Sequence, residues 1–284
     1  MNIHSQMIGS SKLTILPILL TFLLLAAVKA GAGDIEDRFS SHDNTSKVTV
    51  DHSAWDKMLG KYVAPDNEGL NRVNYKAFKQ ADHKNLKTYI SSLEAVDVTK
   101  LGRNEQFALW ANLYNAVTID VILDHYPTKS IRDIDISPGL FANGPWGKKL
   151  VTVNGLQLSL DDIEHKILRG LWKDPRVHYA VNCASIGCPN LAAKAYTGET
   201  LETMLNAGAK AFINSPRGVA VNGDRITASK IYSWFGKDFG SSEKNILKHI
   251  RKYASPALAK KLAGKTDISG YEYNWSLNDV TNSL

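Results

Sequence analysis

Apolar residues recur at three- and four-residue spacing in "HSAWDKMLGKYV" and "YKAFKQADHKNLKTYISSLEAV", a pattern that predicts two amphipathic helices. "NEQFALWANLYNAVTIDVILDHYP" is apolar on more than one face, so this helix should be buried, and Pro127 should stop it. The period changes to two in "KLVTVNGLQLS", where alternating residues flank Asn154-Gly155, a pair suited to a type I′ hairpin turn. Ser159 then caps "SLDDIEHKILRG", with Asp161 and Asp162 in the first turn and Gly170 past the end. "RVHYAVNCA" is short and β-branched and predicts a buried strand. Beyond it come a helix in "GETLETMLNAGAKAFIN", a second hairpin in "GVAVNGDRITAS", helices in "SKIYSWFG" and "SEKNILKHIRKYA", and an aromatic strand, "ISGYEYNWSL".

Helices outnumber strands and the hairpins impose antiparallel pairing, so the expected class is α+β, a mostly helical domain with a small sheet built from hairpins. Residues 1–32 read as an export signal: Lys12 precedes the apolar "LTILPILLTFLLLAAV", and Ala30-Gly31-Ala32 offers small residues for cleavage. An uncleaved membrane anchor is the other reading of that stretch. Export implies a periplasmic or secreted protein with no membrane attachment after cleavage. Residues 33–48 are polar and are expected to form a disordered tail, followed by one domain over 49–284, because no Pro/Gly/Ser linker divides it.

Losing residues 1–32 removes Lys12 and Lys29 and no acid, which takes the net charge from +6 to +4. The remaining basic residues are scattered among acids, which argues against a nucleic-acid partner and leaves a small molecule or a peptide as the expected ligand.

"LWANLYNA", "GPWGKKLVTVNGLQLSLDDIEHKILR", "RVHYAVNCASIGCPNL", "ASKIYSWFGKDF" and "YNWSLND" together resemble the domain-of-unknown-function family 547, DUF547, across most of residues 100–280. The resemblance implies a shared fold unit and no particular reaction, so chemistry has to be read from the residues.

Both cysteines, Cys183 and Cys188, fall in "NCASIGCP". A Cys183 thiolate is the strongest nucleophile the chain offers, with His178 or His165 as its base and Glu164 beside His165. If His178 and Cys183 lie on one strand, five residues apart, they face opposite ways; they meet only if the strand ends near Asn182. In an exported protein the pair also reads as a disulfide, with Gly187 and Pro189 at the turn, or as buried packing residues. Asn112 and Asn115, three apart on the buried helix, and Asn182 offer amide donors for an oxyanion, or ties to loop backbone. Ser185 and Lys230 are further binding candidates; Lys230, with Trp234 and Asp238, also suits a surface or packing role.

Asp161, Glu164 and His165 lack recognised metal-ligand spacing, so no metal and no cofactor are expected. Two functions stay open. One is a thiol-dependent hydrolase or acyltransferase, loosely similar to papain- and transglutaminase-like folds but permuted, since after Cys183 only His249 follows. The other is a non-catalytic binding module with a structural Cys183–Cys188 pair.

Overall fold

The computed structural model describes residues 32–139 and 143–282. The expected leader lies outside the described residues, and among those described no helix is long and apolar enough to cross a membrane. The first described element corrects the expectation of a disordered tail. Helix α1 (Ala32–Ser40) buries Ile35 and Phe39, one turn apart, and Phe39 sets its edge against Trp110 at 4.9 Å.

α2 (Ser53–Tyr62) leads into a short antiparallel pair, β1 (Val63–Pro65) and β2 (Asn71–Val73). The single helix expected next is two, α3 (Tyr75–Ala81) and α4 (His83–Glu94), broken at Asp82. The Asp82 carboxylate accepts hydrogen bonds from Lys61, Tyr62 and Asn85, so three side chains hold the break that the apolar spacing runs across. α5 (Arg103–His125) is the central helix, buried from Glu105 to Ile119 and ending before Pro127 as its pattern demands. It packs against α3, α4 and the later α8, which explains why a helix apolar all round suits this chain.

β3 (Val151–Val153) and β4 (Leu156–Leu158) form the expected hairpin, with positive φ at both Asn154 and Gly155, as a type I′ turn needs. Ser159 Oγ accepts the Asp162 amide and Asp162 Oδ2 accepts the Ser159 amide, a reciprocal capping box. The helix it starts runs wide over Asp162–Leu168, with π-type turns, and continues as α6 (Arg169–Trp172). Gly170 therefore lies inside the helix, where it lets Glu36 of α1 approach: a Cβ would stand 2.7 Å from Glu36 Oε1. The helix ends instead at Lys173, in the left-handed conformation at φ 50°.

The strand expected over Arg176–Ala184 is a helical turn, α7 (Val177–Ala180), followed by extended backbone. Asp174 accepts the Arg176 amide at 2.8 Å and holds its guanidinium, and the His178 amide reaches Pro175 carbonyl, so local capping overrides β propensity. After α8 (Leu201–Ile213) come the hairpin β5 (Val219–Asn222) and β6 (Arg225–Ser229), then α9 (Lys230–Trp234), α10 (Glu243–Tyr253), α11 (Pro256–Leu262) and β7 (Gly270–Glu272). β7 pairs parallel to β6, while every other named pairing is antiparallel. The fold is α+β as expected. A second core gathers Tyr179, Phe212, Ile226, Tyr232, Leu247 and Ile250 between α8, α10 and this sheet.

Candidate functional site

The cysteine loop is fixed from three directions. Asn115 Nδ2 on α5 donates to Ala180 carbonyl at 2.9 Å and its Oδ1 accepts the Asn182 amide at 2.8 Å, tying the end of α7 to the central helix. Asn182 closes the loop itself, accepting the Ala184 amide at 2.8 Å and donating to Pro189 carbonyl at 2.7 Å. Ala184, fully buried, takes φ +57°, a conformation that disfavours a side chain by about 1–2 kcal/mol. That turn directs the chain away immediately after Cys183. The third direction is the segment after β7: Gly187 donates to Asn274 carbonyl, Ile186 to Ser276 carbonyl, and Asn278 to Ala184 carbonyl. Glycine is required at 187, since a Cβ would lie 2.8 Å from the Asn274 nitrogen and 2.9 Å from the Tyr273 ring. Behind the loop Arg217 donates to the carbonyls of Ile186 and Cys188.

The loop forms one wall of a cavity of about 280 Å³. Cys183, Cys188, His178, His165, Glu164 and Asp161 all border it. An aromatic cluster adjoins the loop and lines the cavity with it: Trp234, Tyr273 and Trp275 touch one another with centroids 4.6–5.7 Å apart, and Trp146 packs on Trp275 at 5.8 Å. Trp234 stays 47% exposed at the rim, although an indole so placed normally seeks cover.

His178 is buried, stacks on Phe235 at 4.4 Å, and has Nε2 2.7 Å from Asp238 Oδ2. A carboxylate there fixes the proton on Nε2 and leaves Nδ1 unprotonated in the neutral ring. Asp238 also accepts from Arg169 Nε at 2.6 Å and Nη2 at 3.2 Å. Burial opposes its charge, but the bonds from His178 and Arg169 outweigh that and hold its carboxyl well below the usual carboxylate range. Arg169 donates to His165 Nδ1 at 3.0 Å, so that ring carries its proton on Nε2, 3.5 Å from Asp161 Oδ1. Burial raises the Asp161 carboxyl, opposed by His165 and reinforced by Glu164. Burial likewise drives the Tyr114 hydroxyl far up, helped by Glu164.

Cys183 and Cys188 form a disulfide, with Cα atoms 6.3 Å apart. Cys183 Sγ lies 3.0 Å from Tyr273 Oη and 3.3 Å from Ser185 Oγ, and among the described residues no imidazole nitrogen hydrogen-bonds to it. His178 nevertheless shares the cavity with Cys183. The helical turn at α7 and the reversal at Ala184 remove the opposite-face geometry that a strand would impose.

Other expected site residues take different places. Asn112, Asn115 and Asn182 are corrected as oxyanion donors: Asn112 clamps Tyr196, donating to its carbonyl at 2.8 Å and accepting its amide at 3.0 Å, and the other two are committed to the loop as described. Ser185 is fully buried behind the sulfurs and shares the Tyr273 hydroxyl. Lys230 faces away, into a separate groove with Arg217 and Tyr271. The sequence reading missed Tyr273, Trp275 and Trp146 as site residues and favoured a surface or packing role for Asp238 over a catalytic one. Tyrosine and tryptophan density in "YEYNWSL" and the acid following "WFGK" are the signals that point to the first two and to Asp238. Away from the cavity, His83, Asp120 and Asp124 bring ligand atoms within 4.8 Å of one another. The Lys87 ammonium bonds both carboxylates there, occupying the position a cation would take.

A family model described as "Protein of unknown function, DUF547" matches residues 98–213. No curated protein and no solved structure matches the chain.

Proposed function

We propose, for a chain that belongs to the DUF547 family through residues 98–213, a thiol-dependent hydrolase or acyltransferase that acts once the Cys183–Cys188 bond is reduced. The observation that carries this reading is that Cys183 opens onto the same cavity as His178, whose Nε2 is held by Asp238 while Nδ1 is left to work as a base. A dithiol reductant takes the disulfide to two thiols and is itself oxidised to a disulfide. His178 Nδ1 then accepts the Cys183 proton as sulfur attacks a carbonyl carbon. The same proton passes to the departing amine or alcohol, leaving a thioester. Water, or an acceptor nucleophile, releases the acyl group and restores the thiol. The Tyr273 hydroxyl, within hydrogen-bond distance of both sulfurs, is the donor placed to steady the developing oxyanion.

The disulfide itself favours a second reading, in which the same cavity binds a ligand without reacting and the bridge clamps its wall. Alkylation of the folded protein across pH, read by mass at each cysteine, separates the two. For a thiol enzyme, dithiol treatment yields rapid labelling at Cys183, with a midpoint below the value of about 8.5 for a free thiol, and His178→Ala moves that midpoint back up. Equal, slow labelling of both cysteines after reduction, unaffected by His178→Ala, leaves only the binding module. For either function the reading includes export to a periplasmic or secreted location.

A further inference from the structure

The charges around the cavity do not balance. Glu164 is 9% exposed, and its only basic neighbour within 4 Å among the described residues is His165, with Nδ1 3.8 Å away. That nitrogen accepts a hydrogen bond from Arg169, so in this arrangement it offers Glu164 no proton. Asp161 borders the same space, and no lysine or arginine is among the residues lining it, in a chain of net charge +6. Glu105 and Asp279 are also buried without an ion pair among the described residues, but the backbone amides of Val50 and Gly198 bond to the first and that of Thr281 to the second. Three other part-buried acids have cations. Asp162, one position from Asp161, has both Lys149 and Lys166, Asp174 has Arg176, and Asp238 has Arg169. A carboxylate left buried without a cation costs several kcal/mol of solvation, and a ligand cation recovers part of it.

The aromatic lining of the same cavity has matching chemistry. Trp234, Tyr273, Trp275 and Trp146 present a continuous aromatic surface, open at Trp234. Aromatic faces attract cations and accept flat rings. We infer that the cavity takes an organic monocation, an ammonium-bearing compound with a flat or apolar portion, its charge against Glu164 and Asp161 and its apolar part on the Trp234–Tyr273–Trp275 wall. In combination with the thiol reading, on which this extension rests, the substrate is an amide or ester built on such a base, with the carbonyl turned toward Cys183.

The charge preference can be tested without any thiol chemistry, on the full chain with its disulfide intact. Tryptophan fluorescence is titrated with three matched probes: phenethylammonium, 2-phenylethanol and phenylacetate. The cation is expected to bind about ten- to a hundredfold tighter than the alcohol, the range of one charge-assisted hydrogen bond, with phenylacetate weakest. Glu164→Gln should reduce that ratio to about threefold or less. Asp161→Asn, at a more exposed position, should reduce it in the same direction if Glu164→Gln does not fold. Trp234→Ala should weaken cation and alcohol together. Equal binding of the three probes, preference for phenylacetate, or no saturable quenching by any of them up to about 50 mM, far above the fragment range, overturns the inference. Selective Cys183 alkylation alongside such a failure would leave the thiol reading standing. A cation preference in a protein whose reduced cysteines are inert would leave the binding module with this ligand class.

Discussion

Asn115 Oδ1 accepts the backbone amide of Asn182 at 2.8 Å across 67 positions of sequence, while its Nδ2 serves the carbonyl of Ala180. One side chain thus supplies both halves of a strand-like pairing to a stretch of backbone that has no neighbouring strand. Asn115→Leu leaves that amide and that carbonyl buried and unpaired. Its expected cost is about 2–4 kcal/mol in urea denaturation. Asn112→Leu should cost a similar amount through the Tyr196 loop, yet leave alkylation of reduced Cys183 unchanged, whereas Asn115→Leu should alter its rate.

Asp238→Asn keeps the size of the side chain and removes the charge that fixes the His178 tautomer. By the logic of an acid-oriented histidine, turnover in any acyl-transfer assay should fall by about 10²- to 10⁴-fold. The alkylation midpoint of reduced Cys183 should rise toward that of a free thiol. Circular dichroism is expected to stay native, because Arg169 still has the amide oxygen to bond.

His249 gives the fold a pH signature separate from the site. Its Nε2 is 2.9 Å from Tyr179 Oη, and burial, aided by Lys252, pushes its ring down to about 4. The unfolded chain binds the proton with an ordinary value of about 6.5. Stability is therefore full above that value, falls as pH drops toward 4, and levels off below it, a loss of about 3 kcal/mol. Urea midpoints measured between pH 8 and pH 4 should show this slope; His249→Gln should reduce it, leaving the part due to His52, whose ring burial also pushes down.

Glycine substitutions separate crowding from propensity. Gly187→Ala sets a methyl against the Asn274 backbone and should cost about 1–3 kcal/mol. Gly60, inside α2, has open space where a Cβ would go, so Gly60→Ala should stabilise by about 0.5–1 kcal/mol. Thermal melts of the two variants should move in opposite directions.

The elements most legible in the sequence were those whose cause is local. The Asn154-Gly155 hairpin, the Ser159 cap and the all-round burial of α5 each follow from a few adjacent residues, and each is present. The failures have a common origin in partners distant in sequence. α3 and α4 separate because Lys61 and Tyr62 reach Asp82. Gly170 looked like a helix end because Glu36, which fills the space beside it, lies far earlier in the chain. α7 was misread because two β-formers, Val177 and Tyr179, outweighed the Asp174 cap in the pattern. In the site, Cys183, His178, His165 and Glu164 were all named from their chemistry. The aromatic wall was not, because nothing local connects "YNWSL" to "NCASIGCP"; that connection is made by backbone hydrogen bonds between the two segments.

Those bonds also set an order on biogenesis. Tyr273 is 90 positions beyond Cys183, so a growing chain displays both cysteines well before the aromatic residues that will adjoin them have been synthesised. Over that interval the thiols lack the Tyr273 hydroxyl that contacts both sulfurs in the finished fold. A proteolytic fragment cut between α11 and β7 would keep the cysteine loop and lose Tyr273 and Trp275 from the cavity lining.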